Sequence, residues 1–103
     1  MTSSPRHVPL SFVFPESDGR MEGWGRFVEL HAKGGRVATL TRLAKGDVVR
    51  LSFEAASEKA ELSRADVLKV FRDLDGYFVA ELRFLDEGLQ ARLAKALVAL
   101  LAS

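Results

Sequence analysis

The stretch "DLDGYFVAELRF", Asp73 to Phe84, indicates a tight turn followed by a β-strand. Its Asp-Gly pair supplies the positive φ that a short hairpin turn requires. Apolar residues then occupy alternate positions, Phe78, Ala80, Leu82 and Phe84, as in a strand with one face on a hydrophobic core. The stretch therefore predicts one arm of an antiparallel hairpin.

Five further extended runs precede this strand, separated by turn-forming segments such as "PESDG" and "AKGD". We predict them at residues 10–14, 24–29, 36–42, 48–53 and 64–71. Residues 54–63 are interpreted as a polar loop, with a short helix as the alternative. The connections are too short for parallel crossovers, so the six strands predict an antiparallel barrel or sandwich.

The C-terminal segment has a different periodicity. Leucines recur at a spacing of three or four on one face, Leu85, Leu89, Leu93, Leu97 and Leu100. This spacing predicts one helix over 86–101, with Asp86 as its N-cap. We expect the helix to cover one mouth of a barrel.

Composition indicates one domain over residues 1–103, with a flexible N-terminal segment at 1–6. The absence of cysteine excludes disulfides and thiolate zinc sites and is compatible with the cytoplasm. No signal peptide is expected at the start, and no apolar run is long enough to enter a bilayer. A net charge of +1 gives no indication of general nucleic-acid binding.

Charge is distributed unevenly along the chain. Residues 20–50 carry seven Arg or Lys and three acidic residues, whereas residues 54–87 carry nine acidic and five basic residues. The basic segment could favour an anionic ligand, but two solvated surfaces of opposite sign are the simpler interpretation.

Three segments together resemble a known family: "VELHAKGGRV" at 28–37, "LAKGDVVRLSF" at 43–53 and "DGYFVAELRF" at 75–84. With the C-terminal helix, their order is similar to that of the PilZ domain, a small bacterial barrel that in many members binds cyclic di-GMP. The resemblance runs from about residue 6 to residue 101. It implies a six-stranded antiparallel β-barrel with one C-terminal α-helix.

The resemblance also implies a nucleotide site. PilZ receptors carry an RxxxR segment before the first strand and a [DN]xSxxG turn after the second. Matched turn to turn, the residues at these places are Arg6, Glu29, His31 and Gly34, with Arg36 as a further base of the same segment. An arginine offers phosphate a bidentate fork and offers a base a stacking plane.

This sequence departs from the motif at three places. Thr2 stands where the first arginine would fall, His31 replaces the serine, and Glu29 is one methylene longer than aspartate. Loss of one bidentate charged contact in a partly buried site costs about 2–5 kcal/mol. We therefore expect a degenerate site, with cyclic di-GMP as a weak ligand at most and no other cofactor.

His31 has rival interpretations. A catalytic base needs a nucleophile or an orienting carboxylate, and only a Glu29–His31 pair is conceivable. A metal site needs more donors than His31 and His7 supply. We interpret His31 as a partly exposed turn residue, and the pair Gly34-Gly35 as a hairpin turn with positive φ. No enzyme activity is expected, because no complete catalytic set exists.

Trp24, between two glycines, is predicted to plug the core or a barrel end, with an exposed binding aromatic as the alternative. Two functions remain open. One is a protein-interaction module of bacterial signalling, motility or pilus assembly, which docks on another bacterial protein. The other is a functional cyclic di-GMP receptor. A weaker third interpretation, a barrel that binds single-stranded nucleic acid, depends on Phe27 beside Arg26.

Overall fold

A computed structural model describes residues 7–15 and 22–102 of the chain. These residues form six strands and one helix. The elements are β1 (Val8–Val13), β2 (Glu22–His31), β3 (Gly34–Thr39), β4 (Val48–Ala55), β5 (Glu58–Arg72), β6 (Phe78–Phe84) and α1 (Glu87–Ala102). The predicted flexible segment 1–6 lies outside the described residues.

The strands form a closed antiparallel barrel in the order β1-β2-β3-β6-β5-β4. Closure pairs every strand on both sides and leaves no open sheet edge. The turns at 32–33 and 56–57 lie at the end of the barrel that α1 contacts, which we call the helix end. The β5–β6 hairpin lies at the opposite end, the hairpin end. The predicted six-stranded antiparallel barrel with one C-terminal helix is confirmed.

Alternate residues of the strands fill the barrel interior, because successive side chains of a strand point to opposite faces. Three phenylalanines occupy its centre, with ring centroids 4.9 Å apart for Phe27 and Phe53 and 5.8 Å apart for Phe53 and Phe84. Phe78, at the hairpin end, is only half-buried, whereas Ala80, Leu82 and Phe84 are buried as the alternation predicts. The outer face of the barrel therefore carries the polar and exposed side chains of the strands.

The predicted loop at 54–63 is wrong. β4 continues to Ala55, and β5 begins at Glu58 instead of residue 64. The two strands are joined by Ala56 and Ser57, both with positive φ, 53° and 68°. Alanine and serine rarely adopt this conformation, so the turn carries no Asn-Gly or Asp-Gly signal. The predicted turns at Gly46 and Gly76 do have positive φ.

α1 begins one residue after the predicted N-cap. The Leu89 amide donates a hydrogen bond of 3.2 Å to the Asp86 carboxylate, which confirms the cap. Leu89 and Leu93 are fully buried and belong to the barrel core, so the helix covers the helix end. Leu97 is half-buried. Leu85 does not belong to this face, because it precedes the helix and remains 40% exposed.

No helix among residues 7–15 and 22–102 is both long enough and apolar enough to cross a membrane.

Candidate functional site

The hairpin of β2 and β3 brings together four of the five predicted site residues. Glu29 pairs with Arg36 across the strands, and His31 pairs with Gly34. A β-bulge between Phe27 and Glu29 inserts one extra residue into β2. The bulge shifts the inward–outward alternation, so Phe27 is buried while Glu29 is exposed on the outer face.

Arg36 is the centre of a small charge cluster on this outer face. Its Nη2 lies 3.6 Å from Glu81 Oε2 on β6, and its Nη1 lies 4.0 Å from Glu29 Oε1. All three side chains are roughly half-exposed, so each ion pair is screened and contributes about 0–1 kcal/mol. The cluster has a net charge of −1. One base of the predicted basic segment, Arg36, therefore lies against one acid of the predicted acidic segment, Glu81.

Glu29, His31 and Arg36 line one cavity of about 150 Å³, together with Leu68, Glu81 and residues of the strand backbone. Ligand pockets for small molecules usually measure about 300–1,000 Å³, so this cavity is small for a dinucleotide. Two of its three charged side chains are carboxylates, which repel an anionic ligand.

His31 is the last residue of β2 and is exposed, as predicted for a residue at the turn. Its imidazole makes no hydrogen bond or ion pair with any of the described residues. The conceivable Glu29–His31 pair is not formed, because the Glu29 carboxylate faces Arg36. His7, the other histidine, instead accepts a hydrogen bond of 3.3 Å from Arg26 Nε at its Nδ1.

The interpretation of Gly34-Gly35 as the turn is wrong. The turn is formed by Ala32 and Lys33, and the glycines begin β3 without positive φ. A Cβ at Gly34 would overlap with the carbonyl oxygen of Leu82, and one at Gly35 with that of Glu29. The glycines are therefore needed for close approach of β3 to the backbones of β6 and β2.

The remaining predicted site residue, Arg6, lies outside the described residues, as does Thr2. The following residue, His7, has a positive φ of 60° and its amide donates a hydrogen bond of 2.6 Å to the Phe27 carbonyl. This bond ties the chain to β2 directly after Arg6.

In the part of the chain that the structure describes, no group of three or more His, Asp and Glu residues could hold a metal ion.

The best-formed ion pair joins Arg83 of β6 to Asp66 of β5, with an Nη2–Oδ2 distance of 2.7 Å. The hydrogen bonds that Arg83 donates to the Asp66 carboxylate, together with the negative charge of that carboxylate, raise the pKa of Arg83. This pair holds two neighbouring strands together.

Sequence reasoning placed Trp24 wrongly. The side chain is 67% exposed on the outer face of β2, so it plugs neither the core nor a barrel end. Gly23 faces inward instead, where a Cβ would overlap with the ring of Phe12. Phe27 is fully buried, which removes the feature on which the nucleic-acid interpretation depended.

An open groove of about 430 Å³ lies beside Trp24, which we call the Trp24 groove. The residues that line it include Trp24, Arg26, Ala38, Leu40 and Tyr77. The Arg26 guanidinium lies over the Tyr77 ring, 5.4 Å from its centroid. The glycines on both sides of Trp24 were the sequence signal for this surface, since they mark where inward side chains have no room.

No protein-family model matches the chain, and no curated protein matches it either. Solved structures do match its fold. A structure of MrkH from K. pneumonia has a TM-score of 0.72 at 17% identity, over 96% of this chain and 48% of that one. The Bacillus subtilis inhibitor of motility, MotI/DgrA, has a TM-score of 0.71 at 17% identity, over 95% and 47%.

A third match is the PilZ domain of YcgR from Escherichia coli, solved with c-di-GMP. Its TM-score is 0.65 at 16% identity, over 95% of this chain and 86% of that domain. The chain thus spans about half the length of MrkH and MotI/DgrA and most of the YcgR domain. The fold is PilZ-like, as the resemblance implied.

Proposed function

We propose that this PilZ-like domain is a non-catalytic regulatory module of a bacterial cell, which docks on another protein and whose cyclic di-GMP site is degenerate. The proposal includes a role in motility or pilus-type processes. A structural neighbour named as an inhibitor of motility supports that role. The cysteine-free composition is compatible with a cytoplasmic location, which is also part of the proposal.

One observation carries the proposal. Arg36, a base of the predicted basic segment that would help to hold the ligand, lies between the carboxylates of Glu29 and Glu81. An incoming phosphate would have to displace these carboxylates and would bring further negative charge to a cluster that is already negative. The exposed His31 adds a bulky ring where the motif has a serine.

The alternative is a functional cyclic di-GMP receptor. It is supported by the YcgR neighbour, whose PilZ domain was solved with that nucleotide. In that case Arg6 and Arg36 would both have to contact phosphate, and Arg36 would have to leave Glu81.

Isothermal titration with cyclic di-GMP at modest salt separates the two functions. The interaction-module proposal expects no saturation below about 100 µM, which corresponds to a binding free energy weaker than about −5.5 kcal/mol. Saturation at low micromolar concentration, abolished in both Arg6→Ala and Arg36→Ala but retained in Arg50→Ala, would establish the receptor instead.

A further inference from the structure

The Trp24 groove lies on the outer face of β2 and β3, toward the hairpin end of the barrel. Trp24 lies on β2 and Leu40 directly follows β3, and the pairing of Gly25 with Thr39 sets them side by side. They are 67% and 71% exposed, whereas Ala38 of β3 is buried. Adjacent large apolar side chains with this exposure are typical of an interaction surface. Tryptophan is also one of the residue types enriched among the residues that contribute most to binding at protein interfaces.

Arg26 supplies the charge of the groove. Its guanidinium lies over the Tyr77 ring, and its Nε donates to His7 Nδ1. The side chain is half-buried, yet within residues 7–15 and 22–102 it forms no ion pair. Within the same residues its two Nη groups, which form the fork that binds a carboxylate, have no hydrogen-bond acceptor. Stacking on Tyr77 holds this fork in place beforehand, so little side-chain entropy is lost on binding.

The charge pattern identifies the chemistry of the occupant. Among the described residues that line the groove, Arg26 is the charged one and none is acidic. In contrast, Arg36, Arg83 and Arg92 each face a carboxylate of this chain. A partly desolvated guanidinium without an anion gains most from a partner that brings a carboxylate.

We propose that the Trp24 groove docks an acidic, apolar segment of a partner protein. An aromatic or aliphatic side chain of that segment packs on Trp24 and Leu40, and an adjacent carboxylate binds the Arg26 fork. The inference rests on the proposed function as an interaction module, and it names the surface and the class of partner.

The same features disfavour two other occupants. A second copy of the chain docked through a two-fold axis would repeat the same lining residues, and so would bring a second Arg26 and no carboxylate. Single-stranded nucleic acid would find aromatic rings to stack on. However, one arginine in the groove is too few cations for the phosphate contacts that dominate such binding.

Trp24 is the single tryptophan of the chain, so its fluorescence reports on the groove directly. The probe is a capped peptide, Asp-Glu-Phe-Leu-Glu-Asp, titrated into the full chain at low salt. Two matched peptides control for its two properties: Lys-Arg-Phe-Leu-Arg-Lys has the same apolar centre, and Asp-Glu-Ser-Ser-Glu-Asp has the same acids. We expect saturable emission change with the first peptide below about 1 mM. Both control peptides should bind at least fivefold more weakly.

Variants extend the test by isothermal titration. Arg26→Gln and Leu40→Ser should each weaken binding of the acidic apolar peptide at least fivefold. Arg50→Gln and Leu62→Ser remove an exposed charge and an exposed apolar side chain elsewhere and should leave binding unchanged. Circular dichroism melts show that each variant is folded.

Four results would overturn the inference. Two concern the peptides: a flat titration with the acidic apolar peptide, or equal binding of the basic peptide. The third is self-association in sedimentation velocity that Leu40→Ser abolishes. The fourth is saturable quenching of Trp24 fluorescence by a single-stranded oligonucleotide. The cyclic di-GMP titration is independent of all four. A flat peptide titration beside a flat nucleotide titration overturns this inference alone, and tight nucleotide binding overturns the proposed function whatever the peptide does.

Discussion

Arg36 Nη2 on β3 lies 3.6 Å from Glu81 Oε2 on the neighbouring strand β6. The contact joins the basic segment of the sequence to its acidic segment, so charges that are distant along the chain neutralise each other on the barrel. Arg36, the arginine of the predicted site that the structure describes, therefore already faces carboxylates of this chain.

Glu81→Gln removes one of the two carboxylates that face Arg36. We expect the free energy of unfolding to change by less than about 1 kcal/mol, because the pair is half-exposed. Any weak association with cyclic di-GMP should strengthen by up to about fivefold at low salt and lose that gain at high salt. Chemical denaturation and NMR titration measure the two effects. Glu54→Gln, at an exposed position of β4, is the matched control, and an equal gain there would show that only overall charge matters.

Leu93→Ala tests the packing of α1 on the barrel. Leu93 is fully buried, so its truncation should lower the free energy of unfolding by about 2–5 kcal/mol. Val98→Ala, on a 64% exposed residue of the same helix, should change it by less than about 0.5 kcal/mol. Urea denaturation compares the two variants. A Leu93 effect as small as that of Val98 would mean that the helix does not cover the core.

Gly34→Ala tests why the glycine is needed. A methyl group there overlaps with the Leu82 carbonyl oxygen of β6, so β3 and β6 must move apart or the barrel fails to close. Gly76→Ala is the control, because that site has open space and only an unfavourable φ of +88°. Gly76→Ala should lower the free energy of unfolding by about 1–2 kcal/mol, and Gly34→Ala should lower it by more. The reverse order in thermal or urea denaturation would contradict the close approach of β3 to β6 at Gly34.

Trp24→Ala and Phe27→Ala test which way β2 faces. We expect the free energy of unfolding of Trp24→Ala to stay within about 0.5 kcal/mol of the wild-type value, because the side chain is mainly exposed. Phe27→Ala should cost about 3–5 kcal/mol, since that ring is fully buried among other phenylalanines. Efficient acrylamide quenching of tryptophan fluorescence in the folded wild type is the accompanying measurement. A shielded Trp24 would contradict the outward orientation.

Much of the barrel follows from periodicity and turn chemistry. Asp75-Gly76 and Gly46 mark turns because glycine adopts positive φ there, and Asp86 marks the helix start because its carboxylate accepts an amide hydrogen bond. The turn at Ala56 and Ser57 could not be found in this way, because the surrounding strand pairing imposes a conformation that neither residue prefers.

The site was predictable only in part. The motif comparison placed Glu29 and Arg36 in one site, and the register of β2 and β3 sets them opposite each other. The third member, Glu81, comes from a strand 45 positions further along the chain. Only the strand order β2-β3-β6 brings it there. The outward orientation of Trp24 likewise depends on the lack of room for an inward side chain at Gly23, which is a property of the closed barrel.

The proposal that the nucleotide site is degenerate is tested most directly by titrating cyclic di-GMP into the wild type beside the double variant Thr2→Arg with His31→Ser. The variant restores the missing arginine and the smaller polar side chain of the motif. We predict no saturation of the wild type below about 100 µM and measurable strengthening in the variant. Saturable low-micromolar binding by the wild type that is lost in Arg6→Ala would contradict the account.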